Sequence, residues 1–313
     1  MGEFKKKIIE FIKLSRLPFQ EPILAPVISG ILTAYFMGYR VKNLFLVIFL
    51  VIFVAYLIEQ ATLYLNEFFD YEGDVLNKNY TKFSGGSRIL SEGSLSKNAG
   101  FLAAIVTISI LIIIGIFYLF TIYNLRPLFL LYGIIGVILG LFYSAPPFKW
   151  AYRGVGEIFI GIAFGIMGFT VGFYAISNHI SLLSFLFSVP SALTVFAIIL
   201  INEVPDYDSD IIVKKKNLVV RFGKEKSILY IYFPAMIFTA LISMLLGFLI
   251  FGIIGFIFSI ILMIPMIFIT SKWIIKHVKN FEKIEDMQKY TIFYNFIASF
   301  IPTALIMLKV LII

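Results

Sequence analysis

The sequence predicts an all-α polytopic membrane protein, with nine transmembrane helices in a bundle around a central cavity and a cytoplasmic N-terminus. Three observations carry that expectation. Of 313 residues, 60% are hydrophobic and only 14% are charged, whereas ordinary soluble domains carry about 25% charged residues. Mean hydropathy is +0.98. Nine apolar stretches recur, each close to the roughly 20 residues that a membrane-crossing helix needs. This composition excludes an ordinary soluble domain, a disordered chain and a nucleic-acid-binding domain. The chain has no Cys, so disulfides, Cys-ligated zinc and thiol chemistry are excluded. Only two His, His179 and His277, are present, and a His-rich metal site is not expected.

The segment MGEFKKKIIEFIKLSRLP is not expected to be a cleavable leader, because charges interrupt any apolar core. Phe4, Ile8, Phe11 and Ile12 fall at helical spacing among Lys5, Lys6, Lys7 and Lys13. That pattern predicts a helix lying on the membrane surface. The spans follow at roughly 21–38, 44–66, 98–121, 127–145, 155–177, 182–203, 228–250, 252–270 and 290–312. The first is the least apolar and contains Pro22 and Pro26. The seventh and eighth are joined by a tight link at Phe251-Gly252, since the combined run is too long for one crossing. With these spans, 22 of the 26 Lys and Arg fall on one side; Arg40, Lys42, Arg126 and Lys309 fall on the other. Lys and Arg concentrate on the cytoplasmic side of membrane proteins. The asymmetry therefore puts the N-terminus in the cytoplasm and the C-terminus outside, and it favours an odd number of crossings.

Acids are scarcer, 18 in all, and eight of them occupy two nine-residue windows. Residues 66–74 read NEFFDYEGD and residues 202–210 read NEVPDYDSD. Each window closes an outgoing span, the second and the sixth, so the two helices run parallel, as in an internal duplication. The chain is expected to form one domain built of two such repeats. On a helix, residues four apart lie nearly above one another. Asn66, Asp70 and Asp74 would form one oxygen-bearing stripe, and Asn202, Asp206 and Asp210 another, less regular because of Pro205. Glu67, Glu72, Glu203 and Asp208 point off the stripes and read as ion-pair or solvent residues. Hard oxygen ligands suit Mg²⁺, which takes one or two carboxylates and completes its shell with water and phosphate. Two facing stripes could hold metal ions gripping one diphosphate. The bland alternative is solvated acids paired with nearby Lys, which a matched pair of windows in so acid-poor a chain disfavours.

On these residues the chain resembles the UbiA superfamily of intramembrane prenyltransferases. The resemblance rests on Asn-x-x-x-Asp-x-x-x-Asp after the second span and Asp-x-x-x-Asp after the sixth. It extends to Tyr143-Ser144-Ala145-Pro146-Pro147, to Arg153-Gly154-x-Gly156-Glu157, and to Arg16-Leu17-Pro18 before the first span. It implies Mg²⁺-dependent transfer of a prenyl group from a polyprenyl diphosphate to an acceptor. By position, Asn66, Asp70, Asp74, Asp206 and Asp210, with Asn202, would hold the metal. Basic residues nearby would hold the diphosphate: Arg88, Lys149 and Arg153 foremost, then Lys78 and Lys214. Arg88 follows Ser84-Gly85-Gly86-Ser87, whose backbone N–H groups could wrap phosphate. Tyr143 is a candidate catalytic residue, with an interfacial belt residue as the alternative. An aromatic cavity beneath the metals would shield and stabilise an allylic cation. Glu59 lies two turns deeper than Asn66 and is an intramembrane carboxyl. It either orients the acceptor or takes its proton, or only cross-links helices. Glu157 could play either part, although its place near a helix start suggests capping.

The segment Asn77–Arg88 lacks the Asn-Arg-Pro-x-Arg-Pro that many UbiA members carry. Lys216-Asn217-Leu218-Val219-Val220-Arg221-Phe222-Gly223 resembles the branch that prenylates 1,4-dihydroxy-2-naphthoate. A geranylgeranylglyceryl phosphate acceptor remains a second reading. Outside this class, a cation-coupled transporter would place its acids near the midplane, and here only Glu59 is deep. A CDP-alcohol phosphotransferase would carry Asp-Gly-x-x-Ala-Arg, which is absent. The expected partners are membrane lipids, a polyprenyl diphosphate and an aromatic or lipid-phosphate acceptor, with no nucleic acid.

Overall fold

The computed structural model describes residues 2–121 and 126–312. Among them all regular structure is helical. In chain order the helices are α1 Gly2–Leu14, α2 Glu21–Phe36, α3 Leu44–Phe69, α4 Tyr71–Leu76, α5 Lys97–Thr121, α6 Leu128–Ser144, α7 Gly156–Ile160, α8 Gly168–Ser177, α9 Leu182–Glu203, α10 Tyr207–Ile212, α11 Leu218–Phe222, α12 Lys224–Ser227, α13 Phe233–His277 and α14 Ile284–Ile312. Seven residues of π-helix, Gly161–Met167, join α7 to α8, and another π segment, Ile228–Tyr232, joins α12 to α13. Six described helical stretches are long and apolar enough to cross a membrane. Two more apolar helices, α2 and α6, are shorter, with 16 and 17 residues. Long rows of Ile, Leu and Phe on α5 and α13 stay exposed, as lipid-facing surfaces require. The chain is an integral membrane protein.

The longest stretch, Lys224–His277, has 54 residues. Its backbone breaks where Phe251 and Gly252 leave helical geometry, with Gly252 at φ 58°. Glycine takes a positive φ without the Cβ clash that other residues meet. The Lys309 ammonium donates to the Ile250 carbonyl at 3.0 Å, satisfying an acceptor beside the break.

The helices form two compact units. The first comprises Met1–Gln20, Tyr56–Phe159 and Asn202–Arg221. In it the end of α1 is tied to α3: Gln60 donates to the Ser15 carbonyl at 2.9 Å, and Ser15 and Tyr64 share a hydroxyl bond of 2.7 Å. Leu14, Tyr64, Leu65, Ile89, Leu90, Ala103 and Ala104 make its apolar core. Ile8, Phe11 and Ile12 are exposed, as the surface-helix expectation requires; the fourth residue of that face, Phe4, has a side chain outside the described set. The second unit comprises Glu21–Ala55, Ile160–Ile201 and Phe222–Ile313. There α2 and α8 touch backbone to backbone. A Cβ at Gly30 would overlap the Phe169 carbonyl, and one at Gly172 would overlap that of Val27. Small residues and hydroxyls are the usual adhesive between helices in lipid. Accordingly, Ser29 donates to Ser299 O at 2.5 Å, Ser191 to Ser299 Oγ at 2.9 Å, and Thr194 to Asn295 Oδ1 at 2.6 Å. The Asn295 amide donates to both oxygens of Glu21, at 3.0 and 3.1 Å.

Candidate active site

Both acidic windows fall in the first unit. Each is a helix tip, a break and one further turn. α3 ends at Phe69, Asp70 turns out of the helix at φ −89°, ψ 1°, and α4 follows. α9 ends at Glu203, Pro205 lies in the break, Asp206 sits at φ −83°, ψ −7°, and α10 follows. The sequence predicts continuous stripes; the structure interrupts both at their middle member. The four-residue spacing survives the interruption, because Asp70 N–H bonds Asn66 O at 2.8 Å and Asp74 N–H bonds Asp70 O at 2.9 Å. Asp210 N–H bonds Asp206 O at 2.8 Å in the second window. α4 packs on α10, and Gly73 faces Val213, the residue that follows α10.

Side chains from both windows meet around Lys215. Its Nζ lies 3.1 Å from Asp70 Oδ2 and 3.7 Å from Asp210 Oδ1. Asn77 donates to Asp206 Oδ1 at 2.7 Å, so the loop after the first window grips the second. Tyr152 donates to Asp70 Oδ1 at 2.8 Å and Asn217 to Asp210 Oδ2 at 2.7 Å. Ser144 donates to Asn66 Oδ1 at 2.7 Å. The Asn202 Oδ1 atom is buried and accepts no hydrogen bond. Lys215, Asn77, Tyr152 and Asn217 were not singled out by the motifs. Lys215 is one of three consecutive lysines, and no periodicity marks which of them turns inward: Lys214, the sequence candidate, is exposed and Lys215 is buried.

Charge at this site is unbalanced. Burial, with Glu67, Asp70 and Asp206 as like-charged neighbours, pushes Asp74 well above the usual carboxylate range. Burial also raises Asp206, against the opposing pull of Lys215, Gly85 N–H, the Ser84 hydroxyl and Asn77. Asp210 is pushed up to about 7 by burial, with Lys215 opposing. Burial works against the Lys215 charge, yet Asp210 and Asp70 outweigh it and hold its ammonium well above the usual range. Tyr152 is raised by burial and by Asp70. One ammonium therefore leaves an excess of buried carboxylate. That excess, an all-oxygen donor set and the unpartnered Asn202 oxygen fit a hard divalent cation. As the side chains stand, no three acidic or His groups among the described residues converge as metal ligands.

The basic candidates divide. Lys149 lies over Tyr152, 5.0 Å from its ring centre, and the Tyr152 hydroxyl in turn bonds Asp70. Arg88 is turned into its own loop: it donates to Asp74 O and stands 4.1 Å over the Tyr80 ring. Arg153 is exposed and donates to Pro147 O at 3.0 Å; Lys78 is exposed. Arg16, Arg88, Lys149 and Lys214 all have positive φ, a conformation uncommon outside glycine. The glycine loop donates to protein carboxylates, Ser87 N–H to Glu67 and Gly85 N–H to Asp206. Glu67 and Glu203 are buried, whereas Glu72 and Asp208 are exposed. The Tyr143 ring packs on Gly156, in electrostatic reach of Glu203, Lys215, Glu157 and Asp70. Glu157 is fully buried, and its Oε1 caps α11 by accepting Leu218 N–H at 2.6 Å. Glu59 and Gln60 are buried inside α3.

The UbiA prenyltransferase family matches residues 24–299. The chain belongs to that family. Among UbiA relatives, 1,4-dihydroxy-2-naphthoate octaprenyltransferase of Bacillus subtilis (strain 168) is 32% identical over 98 residues, 31% of this chain and 32% of that protein. UbiA prenyltransferase domain-containing protein 1 of Dictyostelium discoideum is 30% identical over 109 residues, 35% of this chain and 32% of that one. The chain thus matches about a third of the length of these relatives. Solved structures extend the likeness of fold. A digeranylgeranylglyceryl phosphate synthase structure superposes with TM-score 0.62 at 22% identity, covering 98% of this chain and 99% of that one. A UbiA homologue from Archaeoglobus fulgidus bound to DMAPP and Mg²⁺ gives TM-score 0.62 at 17% identity, covering 92% and 98%.

Proposed function

We propose that this UbiA protein transfers a polyprenyl group from a polyprenyl diphosphate to an acceptor at the cytoplasmic face of the cell membrane, releasing diphosphate. The observation that carries this reading is the meeting of the two acidic tips around Lys215, 3.1 Å from Asp70 and 3.7 Å from Asp210. Asp70, Asp74, Asp206 and Asp210, with Asn66 and Asn202, would hold Mg²⁺. The cation, when bound, neutralises charge on the departing diphosphate and so eases cleavage of the allylic C–O bond. Lys215 and Lys149 hold diphosphate oxygens, with Arg88, Arg153, Lys78 and Lys214 farther out. The bonding electrons leave with the diphosphate, and Tyr143 offers an aromatic face to the allylic cation that develops. The acceptor then forms the new bond to that carbon and loses a proton, for which Glu59 and Glu157 are the candidate carboxyls.

Two acceptors are supported, each by its own observation. A naphthoate-type aromatic ring is favoured by the Bacillus subtilis relative and by Lys216–Gly223. A glyceryl phosphate lipid is favoured by the superposition on digeranylgeranylglyceryl phosphate synthase over nearly the whole chain. Nine crossings follow if α2 and α6 span and Lys224–His277 counts as two at its break. The charge asymmetry then keeps the N-terminus in the cytoplasm. One domain of two parallel repeats is the matching reading.

The test is purified protein with Mg²⁺, radiolabelled polyprenyl diphosphates of several lengths and a panel of both acceptor types. A prenylated product and free diphosphate are expected. Asp70→Asn and Asp206→Asn should each abolish turnover while the protein stays folded, and EDTA should do the same. Full activity in either variant, or in EDTA, would overturn the metal assignment.

A further inference from the structure

Glu67 lies off the acidic stripe, one residue after Asn66, yet only 2% of it is exposed. Its carboxylate is fully engaged. Oε1 accepts Ser87 N–H at 2.5 Å and Oε2 accepts the Ser87 hydroxyl at 2.8 Å. The Arg16 guanidinium stands 3.9 Å from Oε1 and also donates to Phe83 O at 3.4 Å. Ser87 is therefore held at both its backbone and its side chain, at the end of the glycine loop. The residues before it face the other acids. Gly86, at φ +70°, lies so close to Asp74 that a Cβ would overlap the carboxylate. Ser84 and Gly85 donate to Asp206, as does Asn77. The loop thus spans from the first acidic window to the second, and Glu67 pins its far end.

We infer that Glu67 is a positioning residue for the diphosphate site. It acts through Ser87, setting the Gly85–Arg88 backbone against Asp74 and Asp206, and touches no substrate itself. This rests on the proposed prenyl transfer for the identity of the ligand. The chemistry favours a carboxylate here because one side chain must accept from an N–H and an O–H together and also face Arg16. A carboxylate has two acceptor oxygens and a charge, whereas an amide has one acceptor oxygen and none. A purely structural glutamate would affect donor and acceptor alike; one that sets this loop acts on the diphosphate alone.

The experiment measures calorimetric binding of Mg²⁺ with inorganic diphosphate, and steady-state kinetics, in wild type, Glu67→Gln, Ser87→Ala and the double variant. Glu67→Gln should weaken diphosphate binding and raise donor KM about tenfold, as loss of a hydrogen bond to a charged group implies. Its kcat and acceptor KM should stay near wild type. Ser87→Ala, which removes one donor and leaves every charge in place, should give a smaller loss of the same kind. The double variant should match Glu67→Gln alone, because both substitutions break one contact. Unchanged binding in Ser87→Ala, additive losses in the double variant, or equal changes in kcat and both KM values would overturn the inference. Wild type that binds diphosphate but transfers nothing removes the proposed reaction and leaves the Glu67 comparison standing. Wild type that binds no diphosphate overturns both.

Discussion

Lys215 is the residue on which the two acidic windows converge. Its ammonium is the positive charge nearest to both Asp70 and Asp210 in a region where burial raises Asp74, Asp206 and Asp210. Removing one member of a buried ion pair typically costs about 3–5 kcal/mol, because the partner is left charged and unpaired. Lys215→Met should therefore lower the thermal midpoint of the metal-free protein in detergent. Added Mg²⁺ should recover part of the loss, since it supplies charge to the same carboxylates. A midpoint that is unchanged by the substitution would mean that Asp70 and Asp210 do not depend on Lys215. Tyr152 and Asn217 work at the same scale: each gives a hydrogen bond to one carboxylate and so fixes the direction of its lone pairs.

Elements are set by close approach. α2 and α8 meet through Gly30 and Gly172, each without space for a Cβ. Forcing extra carbon into such a contact costs about 1–3 kcal/mol or more. Gly172→Val should accordingly lower the thermal midpoint. Gly115→Ala is the control, because nothing lies within 4 Å of its Cβ position and α5 is otherwise regular there. Alanine is the better helix former by about 1 kcal/mol, so the control should hold or raise stability. Equal losses in the two variants would show that the contact is not tight. The same reasoning explains the one long helical run: Gly252 lets the chain reverse, and Gly247 and Gly255 lie against each other on the two arms.

For the whole molecule, an odd number of crossings is the consequential expectation, since it separates the two termini. Six described stretches qualify by length and composition; the count reaches nine only through α2, α6 and the break at Phe251-Gly252. A fluorescent reporter that folds only in the cytoplasm should glow when fused to the N-terminus and stay dark at the C-terminus. Fluorescence at both ends would require an even number. The division into compact units does not follow the acidic repeat, since both windows belong to the first unit. The tips of α3 and α9 thus lie together in one compact unit.

What the sequence determined by itself was local or composed of repeats. Hydropathy located the apolar helices to within a few residues, apart from longer ends around Lys224, His277 and Ile284, because apolar length is a property of contiguous residues. The twin windows stand out because acids are rare in this chain, and they carry its resemblance to the family. What only the tertiary structure decided was pairing across distance. Lys215 meets Asp70 across 145 positions, Asn77 meets Asp206 across 129, and Asn295 meets Glu21 across 274. No periodicity encodes such partners. Which of three adjacent lysines turns inward, and which glutamate pins the glycine loop, depends on how helices far apart in the chain pack. The breaks at Asp70 and Asp206 were equally hidden, because a helix tip reads the same as a helix until neighbouring segments supply the hydrogen bonds that end it.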